Sequence, residues 1–328
     1  MRHILRTSLS ADIWCLTLAL LTCCANALCQ LPAYRSDVSL IAVDIQVSVG
    51  GAPVQDLKKE DFQILDNRQS EPVLYCSQDE QPLDVVLLFD ISTSMRPGLM
   101  TIAQSAHAAL AELRKGDRVA AMAFDTRYWI VFPLTANIEW AAEQLSSRIP
   151  RTEFEGGTYI LQALAGAAGY FKKLPPAQAR RRTILVFTDN DGYGMDSPKG
   201  VLNSIWEANA VINGVVIPNA ETISRRLGPF GWQRMDSPDD INPMVDQTGG
   251  ETIDASQDQN AFPDMLKRMR KRYTLYYAMP NAKPGEHRFV EVKLTDGVQR
   301  RFPQAYILAR KGYIVPKEPI KHVGVSQR

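Results

Sequence analysis

Asp90, Ser92 and Ser94 alternate in the string Asp90-Ile91-Ser92-Thr93-Ser94, which directly follows the apolar run Val85-Val86-Leu87-Leu88-Phe89. In a turn leaving a strand, one carboxylate and two hydroxyls at this spacing project to one side. Such hard oxygen donors suit Mg²⁺, Mn²⁺ or Ca²⁺. The string is too short to carry weight alone, because aspartate and serine are common in turns and helix caps. Two further segments bring matching chemistry. Glu155-Gly156-Gly157-Thr158 is a glycine-rich stretch ahead of a helical pattern, able to present the Thr158 hydroxyl and uncrowded backbone to an ion. Asp189 ends Val186-Phe187-Thr188-Asp189, the second strongly apolar run. The competing reading of the same residues is that Asp90 and Asp189 cap helices while the serines satisfy turns.

Whether these donors meet depends on the elements that carry them. Val85 to Phe89 has the length and branching of a strand buried on both faces. After it, the periodicity predicts a helix near Leu99–Leu113, a strand at Val119–Phe124 and helices near Ile138–Ser147 and Ile160–Lys173. A strand at Thr183–Thr188, a helix near Pro198–Asn209 and a strand at Gly214–Ile217 follow. Alternating apolar strands and amphipathic helices imply an α/β domain, an open and mainly parallel sheet with helices on both faces. In such sheets ligands sit at the carboxyl ends of the strands, where Asp90 and Asp189 fall. Residues 219–240 have no clear period and read as an insertion. Helical patterns resume at Met244–Thr248, stopped by Gly249-Gly250, and at Asn260–Lys271. The latter leads into the basic run Lys267 to Arg272, either a reader of anions or a solvated helix end favoured by the helix dipole.

Both flanks are β-rich. Val38 to Ser48, Phe62 to Leu65 and Val73 to Cys76 alternate on one side, with a turn at Asp66-Asn67. Tyr273 to Tyr277, Phe289 to Lys293 and Ala305 to Ala309 alternate on the other, with turns at Pro280 to Gly285 and Asp296-Gly297. Neither flank is long enough to bury a sheet face alone. The two are therefore expected to pair as one small sandwich-like module into which the α/β domain is inserted. The implied divisions are 1–27, 28–81, 82–272 and 273–328.

The first of these segments has the make-up of a secretory signal. Arg2 and Arg6 precede the apolar Trp14 to Cys24, and Ala25-Asn26-Ala27 offers a small-x-small cleavage site. Export to the periplasm or the extracellular space follows, and no later stretch is apolar for the roughly 18 residues that a membrane helix needs. Cleavage near Ala27 leaves Cys29 and Cys76, which either pair or remain two separate thiols. The chain carries 37 basic and 36 acidic residues, and that balance argues against nucleic acid as a partner.

The strand-end donors and the alternation around them resemble a von Willebrand factor type A domain over about Pro82 to Arg272. Domains of that family carry a metal-ion-dependent adhesion site built from Asp-x-Ser-x-Ser, a threonine on a second loop and an aspartate on a third. The resemblance implies that Asp90, Ser92, Ser94, Thr158 and Asp189 hold a divalent cation, Mg²⁺ first with Mn²⁺ or Ca²⁺ as alternatives. It also implies that the ion takes an aspartate or glutamate carboxylate from a partner protein. Two positions depart from the family pattern: Thr93 stands where glycine is frequent, and Asn190 stands where glycine usually follows the third-loop aspartate. The second departure puts the third loop's geometry in question and opens a role for Asp191. The sequence is also similar to an exported bacterial subgroup, through Val54 to Phe62, Thr248-Gly249-Gly250 and Ala309-Arg310-Lys311-Gly312-Tyr313.

Catalysis finds little support. His107, His287 and His322 are scattered, and no Gly-x-Ser-x-Gly, His-Glu-x-x-His or phosphate-loop pattern occurs. The expectation is a binding module rather than an enzyme. The rivals are a structural protein with a non-functional metal site and a metal-dependent hydrolase.

Overall fold

The computed structural model describes residues 39–78, 81–154, 156–175, 180–194, 196–217, 240–255, 258 and 260–317. They belong to one compact unit spanning Val38–Arg328. The expected signal segment, Cys29, Glu155, His322 and nearly all of the 219–240 insertion lie outside the described residues.

The chain begins with β1 (Leu40–Val49), β2 (Ala52–Pro53), β3 (Phe62–Asp66), β4 (Gln69–Glu71) and β5 (Tyr75–Gln78). The α/β region then runs β6 (Leu83–Asp90), α1 (Arg96–Gln104), α2 (Ala106–Leu110), β7 (Arg118–Phe124), β8 (Tyr128–Thr135), α3 (Ile138–Arg148) and α4 (Ile160–Lys173). It continues through β9 (Arg181–Thr188), α5 (Pro198–Glu207), β10 (Ala210–Val216), α6 (Asn242–Thr248), β11 (Thr252–Asp254) and α7 (Ala261–Arg270). The C-terminal flank holds β12 (Tyr273–Ala278), β13 (His287–Leu294), α8 (Asp296–Arg301), β14 (Tyr306–Ala309) and β15 (Gly312–Ile314).

The central sheet has the order β11-β10-β9-β6-β7-β8 and is parallel except for β8, which runs antiparallel to β7. All eight residues of β6 and all eight of β9 are buried, as their unbroken apolar runs require for strands covered on both faces. Successive side chains of a strand point to opposite faces. Val85, Leu87 and Phe89 accordingly pack with α1, α2, α3 and α7, while Val86 and Leu88 pack with α4, α5 and α6. Phe89 stacks on Phe187 at 4.7 Å, and Phe187 meets Phe262 of α7 edge-on at 4.9 Å, which locks the two central strands to that helix layer.

The flanks form two antiparallel sheets. One has the order β14-β1-β12-β5 with β2 beside β1, and the other runs β15-β13-β3-β4. Strands from opposite ends of the chain are direct neighbours, Val43 facing Leu275 and Ile64 facing Val292. Alternate residues of β1 share a core with Phe62, Ile64, Tyr273, Leu275 and Val290. The expected α/β fold with a β-rich module built from both flanks is therefore observed. Inside that module Asp66 is fully buried and accepts hydrogen bonds from Tyr277 Oη, Tyr313 Oη and Arg288 Nε, each at 2.7 Å. Asn67 and Arg68 both have positive φ, the signature of a tight hairpin turn between β3 and β4.

Several local expectations are corrected. The helix near Leu99–Leu113 is broken at Ser105, whose hydroxyl donates to the Ile102 carbonyl at 3.0 Å and competes with the helical pattern. Asp296-Gly297 opens the short helix α8 instead of a turn. Strands β2, β4, β8, β11 and β15 are not expected from the sequence pattern. The basic run is neither solvated throughout nor free to read anions. Arg268 pairs with Glu251, Arg270 Nη1 meets the Gln81 carbonyl at 3.0 Å and Asp117 at 3.2 Å, and buried Arg272 reaches the Gly249 carbonyl. The reason is placement: the end of α7 points into the junction with the flanking sheets, where carbonyls and carboxylates take the guanidiniums.

Candidate metal centre

The site begins where β6 stops. Asp90, its last residue, is fully buried, and Ser92 N–H donates to Asp90 Oδ1 at 2.9 Å, turning the chain back over the carboxylate. A single 3₁₀ turn, Thr93–Met95, follows and places Ser92 Oγ 3.2 Å from Ser94 Oγ. Ser94 Oγ in turn donates to Asp189 Oδ2 at 2.7 Å. The three donors of the first loop and the aspartate of the third are thus joined by consecutive contacts at the carboxyl edge of the sheet.

Thr188, the last residue of β9, supplies a member of the site that the sequence reading passed over. Its hydroxyl donates to Asp90 Oδ2 at 2.7 Å and accepts from Asn190 N–H at 3.0 Å. The signal was present: in a string that ends an apolar strand, the residue before the aspartate was a hydroxyl rather than another aliphatic.

The third loop also resolves the departure at Asn190. This residue adopts φ 58°, the left-handed conformation that glycine takes freely and asparagine tolerates. Its side chain adds what glycine lacks, donating to Asp240 Oδ1 at 2.8 Å and accepting from Ile241 N–H at 2.9 Å. Asp191 N–H lies 3.3 Å from Asp189 Oδ1, so Asp191 steadies the third-loop aspartate through its backbone.

Thr158 is buried, and its carbonyl accepts from Tyr193 N–H at 2.9 Å, which ties the second loop to the segment after Asp189, but among the described residues its hydroxyl makes no hydrogen bond to Asp90, Ser92, Ser94 or Asp189. Tyr159 N–H donates to the Asp125 carbonyl at 3.0 Å, and Asp125 also abuts Gly156, which has φ 76°. Gly157 lies under Tyr193, whose hydroxyl would be 1.9 Å from a Cβ at that position. Thr93 Oγ1 reaches the Phe154 carbonyl at 3.4 Å, so the residue that replaces the frequent glycine bridges the first and second loops.

Electrostatically the site is short of positive charge. Burial, with the nearby Asp189 charge adding to it, pushes the Asp90 carboxyl up to about 7, against the hydrogen bonds from Ser92 and Thr188 that pull it down. Among the described residues no three Asp, Glu, His or Cys side chains converge as a metal cluster. The set that does converge is two carboxylates with serine hydroxyls, all hard oxygen donors. A small divalent cation fits that set, because it offsets the burial and mutual repulsion of Asp90 and Asp189.

Residues 85–192 match the family model of the von Willebrand factor type A domain. No curated protein matches the chain. Among solved structures, it is similar to an aerotolerance-related membrane protein from Bacteroides fragilis, with 20% identity and a TM-score of 0.42 over 58% of this chain and 99% of that one. A BatB protein from Bacteroides thetaiotaomicron has 17% identity and a TM-score of 0.41 over 58% and 99%. A von Willebrand factor type A protein from Catenulispora acidiphila has 12% identity and a TM-score of 0.43 over 89% and 78%. The family match falls on the segment that carries β7, β8, β9 and all three loops, so it is this part of the α/β region that is similar to a von Willebrand factor type A domain.

Proposed function

We propose that this domain is a metal-dependent protein-binding module of an exported protein, holding a divalent cation, Mg²⁺ in the first place, through Asp90, Ser92, Ser94, Thr158 and Asp189. The observation that carries the reading is the chain of contacts from Asp90 through Ser92 and Ser94 to Asp189. A cation bound there supplies Lewis acidity and a coordination position that a partner's aspartate or glutamate carboxylate fills. The protein's part is to hold the donors still. Ser94 donates its hydroxyl hydrogen bond to Asp189, which leaves the Ser94 oxygen free to offer a lone pair to an ion. Thr188 and the Ser92 amide fix both oxygens of Asp90, so this carboxylate acts from a set position.

The module binds rather than transforms. His107 sits 3.6 Å from Glu139 on an exposed helix surface, and His287 packs on Trp206 at 4.8 Å. Neither is arranged beside the site residues as an acid or base. Export is supported by the signal-like residues 1–27, and no helix among the described residues is long and apolar enough to cross a membrane.

Mn²⁺ titration of the purified protein, followed by electron paramagnetic resonance, tests the ion. Binding should be saturable, displaced by Mg²⁺ and lost in Asp90→Ala. Capture of envelope proteins in Mg²⁺ against EDTA tests the function. Capture that survives in Ser92→Ala, or EDTA that acts only by unfolding the protein, overturns the adhesion reading.

A further inference from the structure

Where the start of β1, the ends of α4 and α5 and the segment after β15 meet, they enclose a cavity of about 490 Å³. That volume lies within the range of small-molecule sites, roughly 300–1,000 Å³. Its walls include Leu40, Ile41, Trp206, Tyr313 and Val315, all buried, together with Pro316. Arg310 also lines it, only 4% exposed.

Arg310 sets this cavity apart. Its Nε has no hydrogen-bond partner, which is also true of Arg182, Arg270 and Arg272, but those three are held through their Nη atoms, whereas among the described residues no hydrogen bond or ion pair holds the Arg310 guanidinium. The nearest source of compensation, Asp44, is already engaged: Oδ2 accepts from Arg181 Nε at 3.0 Å and Oδ1 from Thr274 Oγ1 at 2.7 Å. Buried Arg272 shares the same carboxylate's field, so three buried guanidiniums compete for one aspartate. At the cavity's edge Lys172 is bound to Glu207 at 2.8 Å, and that pair contributes no net charge. A buried cation without a partner is costly, and an arginine keeps its charge under nearly all conditions, so the deficit is of an anion.

We infer that the cavity is a binding site for a small monocarboxylate with an apolar body, its carboxylate held by Arg310. The planar guanidinium matches a carboxylate in a two-point contact, and Arg310 is the one buried cation of the lining, Lys317 standing exposed at its rim where water screens its charge. The apolar walls favour a hydrocarbon body over a sugar or a free phosphate. The site stands apart from the metal centre and does not rest on the adhesion reading.

Calorimetric titration of the full chain with sodium octanoate tests the inference, with 1-octanol and inorganic phosphate as comparison ligands. Octanoate should bind saturably at one site and raise the melting temperature. Octanol, with the same body and no charge, should bind about ten-fold more weakly or worse, as the loss of a charged hydrogen-bonded contact implies. Arg310→Met should weaken octanoate by a similar factor. Because this change removes an unpaired buried charge, the ligand-free variant should melt no lower than the parent. Ala42→Phe, at a half-buried position in the wall, should block octanoate by filling the cavity. Octanoate binding unchanged in either variant, no octanoate binding at all, or phosphate binding in place of octanoate overturns the assignment.

Discussion

Thr188 Oγ1 donates to Asp90 Oδ2 at 2.7 Å, joining the ends of the two central strands beneath the three loops. Both residues are fully buried. Thr188→Val keeps the shape and removes the donor, leaving a buried carboxylate oxygen unsatisfied at a cost of about 1–3 kcal/mol. The expected outcome in urea unfolding is a lower midpoint with an unchanged slope. Mn²⁺ affinity should fall as well, because Asp90 loses one of the two contacts that fix its position.

Asp90 itself should behave differently with and without ions. Burial and Asp189 both work against its charged form, so in EDTA the neutral Asp90→Asn should melt at the same temperature as the parent or higher. In millimolar Mg²⁺ the parent should gain stability by mass action, and the variant should not. Thermal melts of both proteins in the two buffers check this. A parent whose melting is indifferent to Mg²⁺ counts against the donor set as an ion site.

The parts of this site that were legible in the sequence are those that a strand's own pattern announces. Val85 to Phe89 and Ile184 to Phe187 are apolar without interruption because both faces are covered, and a polar residue at the end of such a run has to sit at the sheet's edge. Strand β8 was missed for the opposite reason. It is the antiparallel edge strand, Tyr128, Trp129 and Ile130 are exposed, and Pro133 interrupts the run, so neither alternation nor a continuous apolar stretch survives. Asn190 raised a question that one residue type cannot answer: asparagine tolerates a left-handed turn, but its bonds to Asp240 and Ile241 come from about 50 residues away. The burial of Arg272 was illegible for the same reason. A run of arginines at a helix end looks solvated until the flanking sheets are placed against it.

Acid should act on the opposite end of the sheet from the metal centre. Asp84, at the start of β6, accepts from Arg118 Nε at 2.9 Å and Nη2 at 2.7 Å, and from Arg180 Nε at 3.0 Å. Burial raises its pKa, but the two guanidiniums outweigh burial and hold it below the ordinary carboxylate value. A group whose folded pKa is depressed contributes stability that is complete above its unfolded pKa, about 4, and is lost as pH falls through the folded value. Asp84→Asn should therefore cost stability at pH 7, about 2 kcal/mol once the partial exposure of both arginines is allowed for. Below pH 4 the difference from the parent should shrink. Urea midpoints from pH 7 to pH 3 read this directly, and a constant difference across that range would show that Asp84 is not the titrating group.

Gly249 and Gly250 should be the costliest glycines to replace, because backbone rather than a movable side chain occupies the space. Gly249 ends α6 at φ 75°, and a Cβ there would lie 2.2 Å from the Ala309 carbonyl carbon of β14. At Gly250 a Cβ would lie 1.7 Å from the Ile212 carbonyl oxygen of β10. The same two residues thus seat α6 on the central sheet and on the flanking sheet at once. Ala at either position must push strands apart, at a cost of about 1–3 kcal/mol or more, with left-handed strain added at Gly249. By contrast, Gly157→Ala meets only the exposed ring of Tyr193, which can swing aside. The expected order of melting temperatures is Gly157→Ala near the parent, with Gly249→Ala and Gly250→Ala far below. If all three melted alike, close packing of β10 and β14 against the Gly249-Gly250 turn would not be what holds the α/β domain to its flanking sheets.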